Sequence, residues 1–202
     1  MTDAVEIVSD LVKIPSVSPF GRNETERRER FERCREVLAY LEEFLQKQGA
    51  QTEQLVFEGG HDKWWYPVPN LYAELTIGDR KAADHKFLCY MGHIDVVPVG
   101  EEKLWRRPPF SGQIDEGFVW GRGATDMKGS VGAWISALEK LKAGKGVGVN
   151  LTIGTLITGD EEWAAVNGSD KVLAWMKANG KNPDAFIVGE PSSRDYLGTH
   201  IK

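Results

Sequence analysis

What is scarce in this 202-residue chain narrows its function first. It has only two cysteines. Cys34 falls on the apolar stripe of a helix and Cys89 in an apolar run, so both read as packing residues in a reducing compartment. Basic excess is missing: the formal net charge is -5, which makes nucleic acid and anionic membrane surfaces poor partners. Arg27, Arg28, Arg30, Arg33 and Arg35 interleave with Glu26, Glu29, Glu32 and Glu36, as on a solvated helix face laced with ion pairs. No apolar run approaches the ~20 residues that span a bilayer. The start, Met1-Thr2-Asp3-Ala4, has no charged-then-apolar leader. A cytoplasmic protein is expected. Internal repeats and low-complexity segments are lacking too. So are a Gly-x-Ser-x-Gly nucleophile elbow, a dinucleotide fingerprint and a Gly-Lys-Ser/Thr phosphate loop.

What is present is an alternation of strand and helix. Asp3–Lys13 reads as a short helix opened by Asp3 and Glu6, with Val5, Val8, Leu11 and Val12 at helical spacing. A longer helix spans about 24–48, its stripe carried by Phe31, Cys34, Val37, Leu38, Leu41, Phe44 and Leu45, and Gly49 ends it. Strands are expected at about 50–57, 70–77, 87–90, 150–158 and 184–188, the last short and buried. A hairpin is expected around Asp115-Glu116-Gly117, and helices at about 126–143 and 169–179. The second half therefore argues for a largely parallel sheet covered on both sides. In such sheets, sites form beyond the carboxyl ends of the strands.

The candidate chemistry gathers at those ends. His93 and Asp95 are two residues apart after an apolar strand, a spacing that suits a metal-ligating imidazole held by a carboxylate. Alone, it reads better as a hydrogen-bonded pair at a strand end. It gains weight from Asp126, Glu161, Glu162 and Glu190, four carboxylates that follow strands or a glycine turn. Asp126 is either a helix N-cap or a carboxylate bridging two cations. Glu161 and Glu162 are neighbours in the chain, so one can bind metal while the other faces a water, as ligand and general base. One imidazole among carboxylates suits Zn²⁺, with Co²⁺ or Mn²⁺ as alternatives. His61 and Asp62 lie in a Gly-rich loop and read better as an exposed turn. Trp64 and Trp65 read as loop packing.

The segments Met91–Gly100, Pro108–Gly112, Gly121–Gly129, Thr158–Glu162 and Val188–Ser193 together resemble the motifs of a co-catalytic metallopeptidase family. That family contains carboxypeptidase G, acetylornithine deacetylase, aminoacylase and succinyl-diaminopimelate desuccinylase. The Gly121–Gly129 and Gly189–Ser193 versions are most similar to the desuccinylases. The resemblance implies a three-layer α/β/α catalytic domain with a mostly parallel central sheet, and two Zn²⁺ per complete site. His93 and Glu190 would hold one ion and Glu162 the other, with Asp126 between them. Asp95 would orient His93, and Glu161 would be the general base. The implied reaction is hydrolysis of an amide in a small acylated amino acid, succinyl-diaminopimelate first. Two rival expectations are a metal-binding piece inactive by itself and a peptidase-like binding protein.

Three departures from the family pattern stand out. Residue 94 is Ile where relatives often have Thr, and Trp163 follows the glutamate pair where they often have Gly. Relatives also insert a lid or dimerisation domain after the Glu-Pro-Ser segment, then supply a last His ligand. Residues 1–195 are thus expected to be the N-terminal part of a catalytic domain, and 196–202 the start of the connection to a lid absent here. His200 lies on that outgoing segment and is not assigned to the metal. The full-length protein is expected to be a homodimer through that lid.

Overall fold

The computed structural model describes residues 3–18, 21, 23–59, 66–144 and 148–192. His61, Asp62, Trp64, Trp65, His200 and the 196–202 connection lie outside them. The centre is a five-stranded sheet in the order β1-β2-β6-β3-β7, made of Gln51–Phe57, Val68–Ile77, Leu151–Thr158, Lys86–His93 and Ala185–Val188 respectively. Parallel pairing is confined to β6, β3 and β7, whereas β1 and β2 join as antiparallel neighbours. The loop between β1 and β2 is too short for a covering helix, so these strands return antiparallel. The strand–helix alternation holds only from β3 onward, and that stretch supplies the parallel trio.

Side chains alternate across the sheet and define three layers. Leu71, Ala73, Tyr90, Ile153 and Ile157 pack with the helices α1 (Ala4–Lys13), α2 (Glu24–Lys47) and α3 (Gly129–Ala143). Tyr72, Cys89 and Leu156 face the other way, onto Val172 and Met176 of α4 (Ser169–Ala178). This is the expected α/β/α sandwich. Asp3 caps α1 by accepting from the Val5 N–H (3.2 Å), and Asn23 caps α2 by accepting from Glu26 (2.9 Å). The charged face of α2 is ion-paired as its sequence suggests, through Arg30–Glu26, Arg33–Glu36 and Arg35–Glu32. Both cysteines are buried and free, and burial pushes the Cys89 thiol up to about 12. Among the described residues no helix is long and apolar enough to cross a membrane.

Two expectations change. β7 is not buried: Phe186, Ile187 and Val188 are 42%, 44% and 59% exposed, because among the described residues β7 is an edge strand paired only to β3. α3 begins at Gly129 rather than Asp126. Asp126 (φ -118°, ψ 100°) and Met127 are outside helical geometry, and the peptide between them is cis. The cap position of α3 is Lys128, so Asp126, two residues further out, is not its N-cap. Glycines permit the turn: Gly123 has φ +83°, and a Cβ at Gly129 would come within 2.3 Å of the Ala124 carbonyl.

Candidate metal centre

Parallel register brings the strand ends together. His93, the last residue of β3, pairs with Thr158, the last of β6, and Met91 pairs with Val188 of β7. The Ile94 N–H then donates to the Thr158 carbonyl (2.9 Å), and Gly189 donates to Met91 (3.0 Å). The loops carrying Glu161, Glu162 and Glu190 thus leave from one edge, beside His93.

The imidazole is the hub. Its Nε2 lies 3.1 Å from Asp126 Oδ1, 3.2 Å from Glu190 Oε1 and 3.7 Å from Glu161 Oε2. His93 is 1% exposed, whereas Asp126 and Glu161 side chains are 40% and 47% exposed. One face of the cluster is therefore packed and the other open, beside a cavity of about 150 Å³ whose lining includes His93, Met127, Glu161 and Glu190. Two sets of ligand atoms lie within 4.8 Å of one another: His93, Asp126 and Glu190, and His93, Glu161 and Glu162. All the carboxylates singled out in the sequence meet here.

Asp95 is held differently from the simple picture of a carboxylate on the ring. β3 ends at His93, so Asp95 lies beyond the strand, and Val96 next bonds to Ser16 (2.9 Å). The Asp95 carbonyl oxygen sits 3.0 Å from His93 Nδ1, and its nearest carboxylate oxygen 3.5 Å. The carboxylate, fully buried, accepts the N–H groups of Glu161 (3.1 and 3.2 Å) and Glu162 (3.0 Å). One residue thus orients the imidazole and anchors the backbone of both glutamates.

Two further positioning residues escaped the sequence reading. Asp160, 1% exposed, accepts from the Tyr66 hydroxyl (2.9 Å) and from the N–H groups of Ala165 (3.3 Å), Val166 (3.0 Å) and Asn167 (3.0 Å). It ties down the loop that carries Glu161 and Glu162. Burial is the main cause that raises its pKa. Lys128 is fully buried, and its ammonium donates to the Leu11 and Ile14 carbonyls, both at 2.8 Å. Those carbonyls stand at the end of α1, where they also accept the Ile14 and Ser16 N–H groups, so Lys128 links that helix to the Asp126 turn. Burial lowers its pKa to about 7.

The electrostatics are those of crowded anions. Burial is the largest influence on Glu162, and repulsion from Asp126, Asp95 and Glu161 adds to it, so its pKa is pushed up to about 7 despite His93. Glu161 is also raised, by burial and then by Glu190, Asp95 and Asp126, with His93 opposing. For His93 burial is the largest single effect and pulls downward. Asp95, Glu161 and Glu190 outweigh it and raise the imidazolium to about 9. A divalent cation would relieve this repulsion. A tetrahedral ion with ligands at about 2.0–2.1 Å separates them by roughly 3.3 Å. The 3.1 and 3.2 Å spacings around His93 Nε2 fit that requirement, as does the donor set of one imidazole and carboxylates.

Similarity to known proteins identifies the family. Residues 89–202 match the model of peptidase family M20/M25/M40. A succinyl-diaminopimelate desuccinylase of Xanthobacter autotrophicus is 37% identical over 196 residues, which are 97% of this chain and 45% of that protein. The chain thus spans about half the length of this curated relative. An M20 metallo-carboxypeptidase of Sulfolobus solfataricus superposes with a TM-score of 0.71 and 26% identity, over 95% of this chain and 38% of that one. Human carnosine dipeptidase 1 gives 0.74 and 25%, over 94% and 38%.

Proposed function

The chain belongs to peptidase family M20/M25/M40, and from that premise we propose that it carries the metal-binding half of an amide hydrolase site. The observation that supports this most is the convergence of Asp126, Glu190 and Glu161 on His93 Nε2 at the ends of three parallel strands. His93, Asp126 and Glu190 would hold one Zn²⁺, and Glu162 with Asp126 would contribute to a second, with Co²⁺ or Mn²⁺ as alternatives. Bound there, such ions supply Lewis-acid polarisation of a carbonyl and stabilise developing negative charge.

The chain's own part is proton handling and alignment. Glu161 takes a proton from the attacking water onto its carboxylate and delivers it to the leaving amine nitrogen. Asp95 keeps Glu161 and Glu162 at fixed heights through their backbone N–H groups. Asp126 serves both sides of the cluster: it lies against His93 and is the strongest electrostatic influence on Glu162 after burial.

The substrate we propose is N-succinyl-LL-2,6-diaminopimelate, supported by the 37% identity to a desuccinylase. The whole protein would act as a cytoplasmic homodimer. Specificity constants of the whole protein for that compound, N-acetylornithine and a dipeptide test the assignment side by side. The succinyl compound should be turned over most efficiently. A higher constant for either competitor would move the protein to another branch of the family.

A further inference from the structure

A second cavity, of about 460 Å³, lies between the loop after β3 and the hairpin of β4 (Gln113–Asp115) and β5 (Phe118–Trp120). Its lining shares no residue with the cavity at His93. Its walls are the rings of Trp105 and Trp120 with Arg106, Arg107 and Arg122; Glu101 is the one carboxylate among them.

The three arginines are not equivalent. Arg106 pairs with Glu116 (3.0 Å) and Arg107 with Asp115, and both guanidinium groups lie over Trp120, at 5.3 and 5.1 Å. Among the described residues Arg122 has no carboxylate partner: it donates to the Pro98 carbonyl (3.3 Å) and lies 4.9 Å from the Trp105 ring. The Nε atoms of Arg107 and Arg122 are buried with no hydrogen-bond partner among the described residues. Sealed from the cavity, those atoms cannot meet a ligand; the donors left to one are the terminal nitrogens of Arg122, which lines the cavity and has one acceptor, at 3.3 Å, among the described residues. A guanidinium presents parallel N–H donors that match a carboxylate. The indole N–H groups are already engaged, Trp105 with Val99 (2.9 Å) and Trp120 with Asp115 (3.1 Å), so the rings offer apolar surface only. The volume is in the range of small-ligand sites.

We propose that this cavity binds a small organic carboxylate with a flat apolar body, its carboxylate on Arg122 and its body against Trp105 and Trp120. It is a site separate from the metal centre, four residues upstream of Asp126 along the same turn.

Benzoate is the probe, titrated into the 202-residue protein with a chelator present and followed by the indole N–H resonances of Trp105 and Trp120. Saturable shifts of these two signals are expected, and benzamide, the neutral counterpart, should bind at least tenfold more weakly. Arg122→Gln should weaken benzoate at least tenfold and Arg122→Lys less. His93→Ala should leave benzoate binding unchanged, which separates this site from the metal centre. The proposal fails if the shifts do not saturate, or if benzamide or inorganic phosphate binds as tightly as benzoate. It fails equally if Arg122→Gln, still folded by its spectrum, binds as wild type does, or if His93→Ala abolishes binding. The benzamide comparison needs no variant and decides the matter even if Arg122→Gln does not fold.

Discussion

Glu74 and Glu162 are both carboxylates drawn from water at the central sheet, and their neighbours drive them in opposite directions. Glu74, on β2, accepts from the Tyr72 hydroxyl (2.7 Å), Lys181 Nζ (2.8 Å) and Arg80 (3.2 Å). Burial, the largest single influence, would raise its pKa. Those donors and charges outweigh it and hold the group below the usual carboxylate range. Glu162 meets burial and three like charges, and only His93 opposes them. The first cluster is electrically complete within the protein. The second carries an excess of negative charge, which the proposed cations would offset. Compensation of this kind separates an ion network that serves stability from one arranged for chemistry.

The contrast breaks most visibly at Glu161. Glu161→Gln in the whole protein preserves shape and removes the proton acceptor. Turnover should fall by ~10²–10⁴-fold, the usual worth of a general base. Metal content, read by elemental analysis, should stay at the wild-type level. Wild-type turnover in the mutant at equal metal loading would take the base role away from Glu161.

Asp95→Asn tests the same cluster one layer out. The amide keeps one acceptor oxygen but loses the charge beneath His93 and one of the two oxygens that hold the Glu161 and Glu162 backbone. Loss of a group that supports metal ligands typically costs ~10–100-fold in affinity. Calorimetric titration of the 202-residue protein should show about one tight Zn²⁺ for wild type, because the first ion has His93, Asp126 and Glu190 while the second has two carboxylates. In Asp95→Asn that one step should weaken by the stated factor. An unchanged Zn²⁺ isotherm would reduce Asp95 to a loop anchor.

Legibility in the sequence followed distance along the chain. His93, Glu161 and Glu190 stood out because each directly follows an apolar strand, and Asp126 because glycines frame it. Their convergence follows from parallel pairing, which strand–helix alternation implies. Asp160 and Lys128 did not stand out. Tyr66 is 94 residues from Asp160, and Leu11 is 117 residues from Lys128, so no local pattern marks either pair. Asp160 was further hidden in an acidic run whose other members face the cluster. The exposure of β7 was illegible for another reason: an apolar run encodes a strand that prefers burial, not whether a neighbour covers it. The antiparallel β1 and β2 reflect a short connection rather than any residue in the strands.

The smallest expected effect lies on the Glu74 side of the comparison. Lys181→Met removes the ammonium 2.8 Å from the Glu74 carboxylate, while Tyr72 and Arg80 remain as donors. The Glu74 side chain is 6% exposed and that of Lys181 23%, so screening is partial and a cost of about 1–2 kcal/mol at neutral pH is expected. The sign with pH follows from the lowered pKa of Glu74. Its folded-state value lies below the unfolded one of about 4.3, so the unfolded chain binds the proton first as pH falls. The stabilisation by Glu74 is therefore fully present above the unfolded value and is lost as pH drops through the folded one. Without Lys181 the folded value moves up, because burial is then less opposed. Urea unfolding from pH 7 to pH 3 should show the mutant losing less additional stability than wild type on the acid side, so that the two converge at low pH. A constant difference between them across that range would mean that Lys181 acts through packing on Tyr72 and Trp175, over whose rings its Nζ lies at 4.9 and 5.7 Å, and not through charge on Glu74.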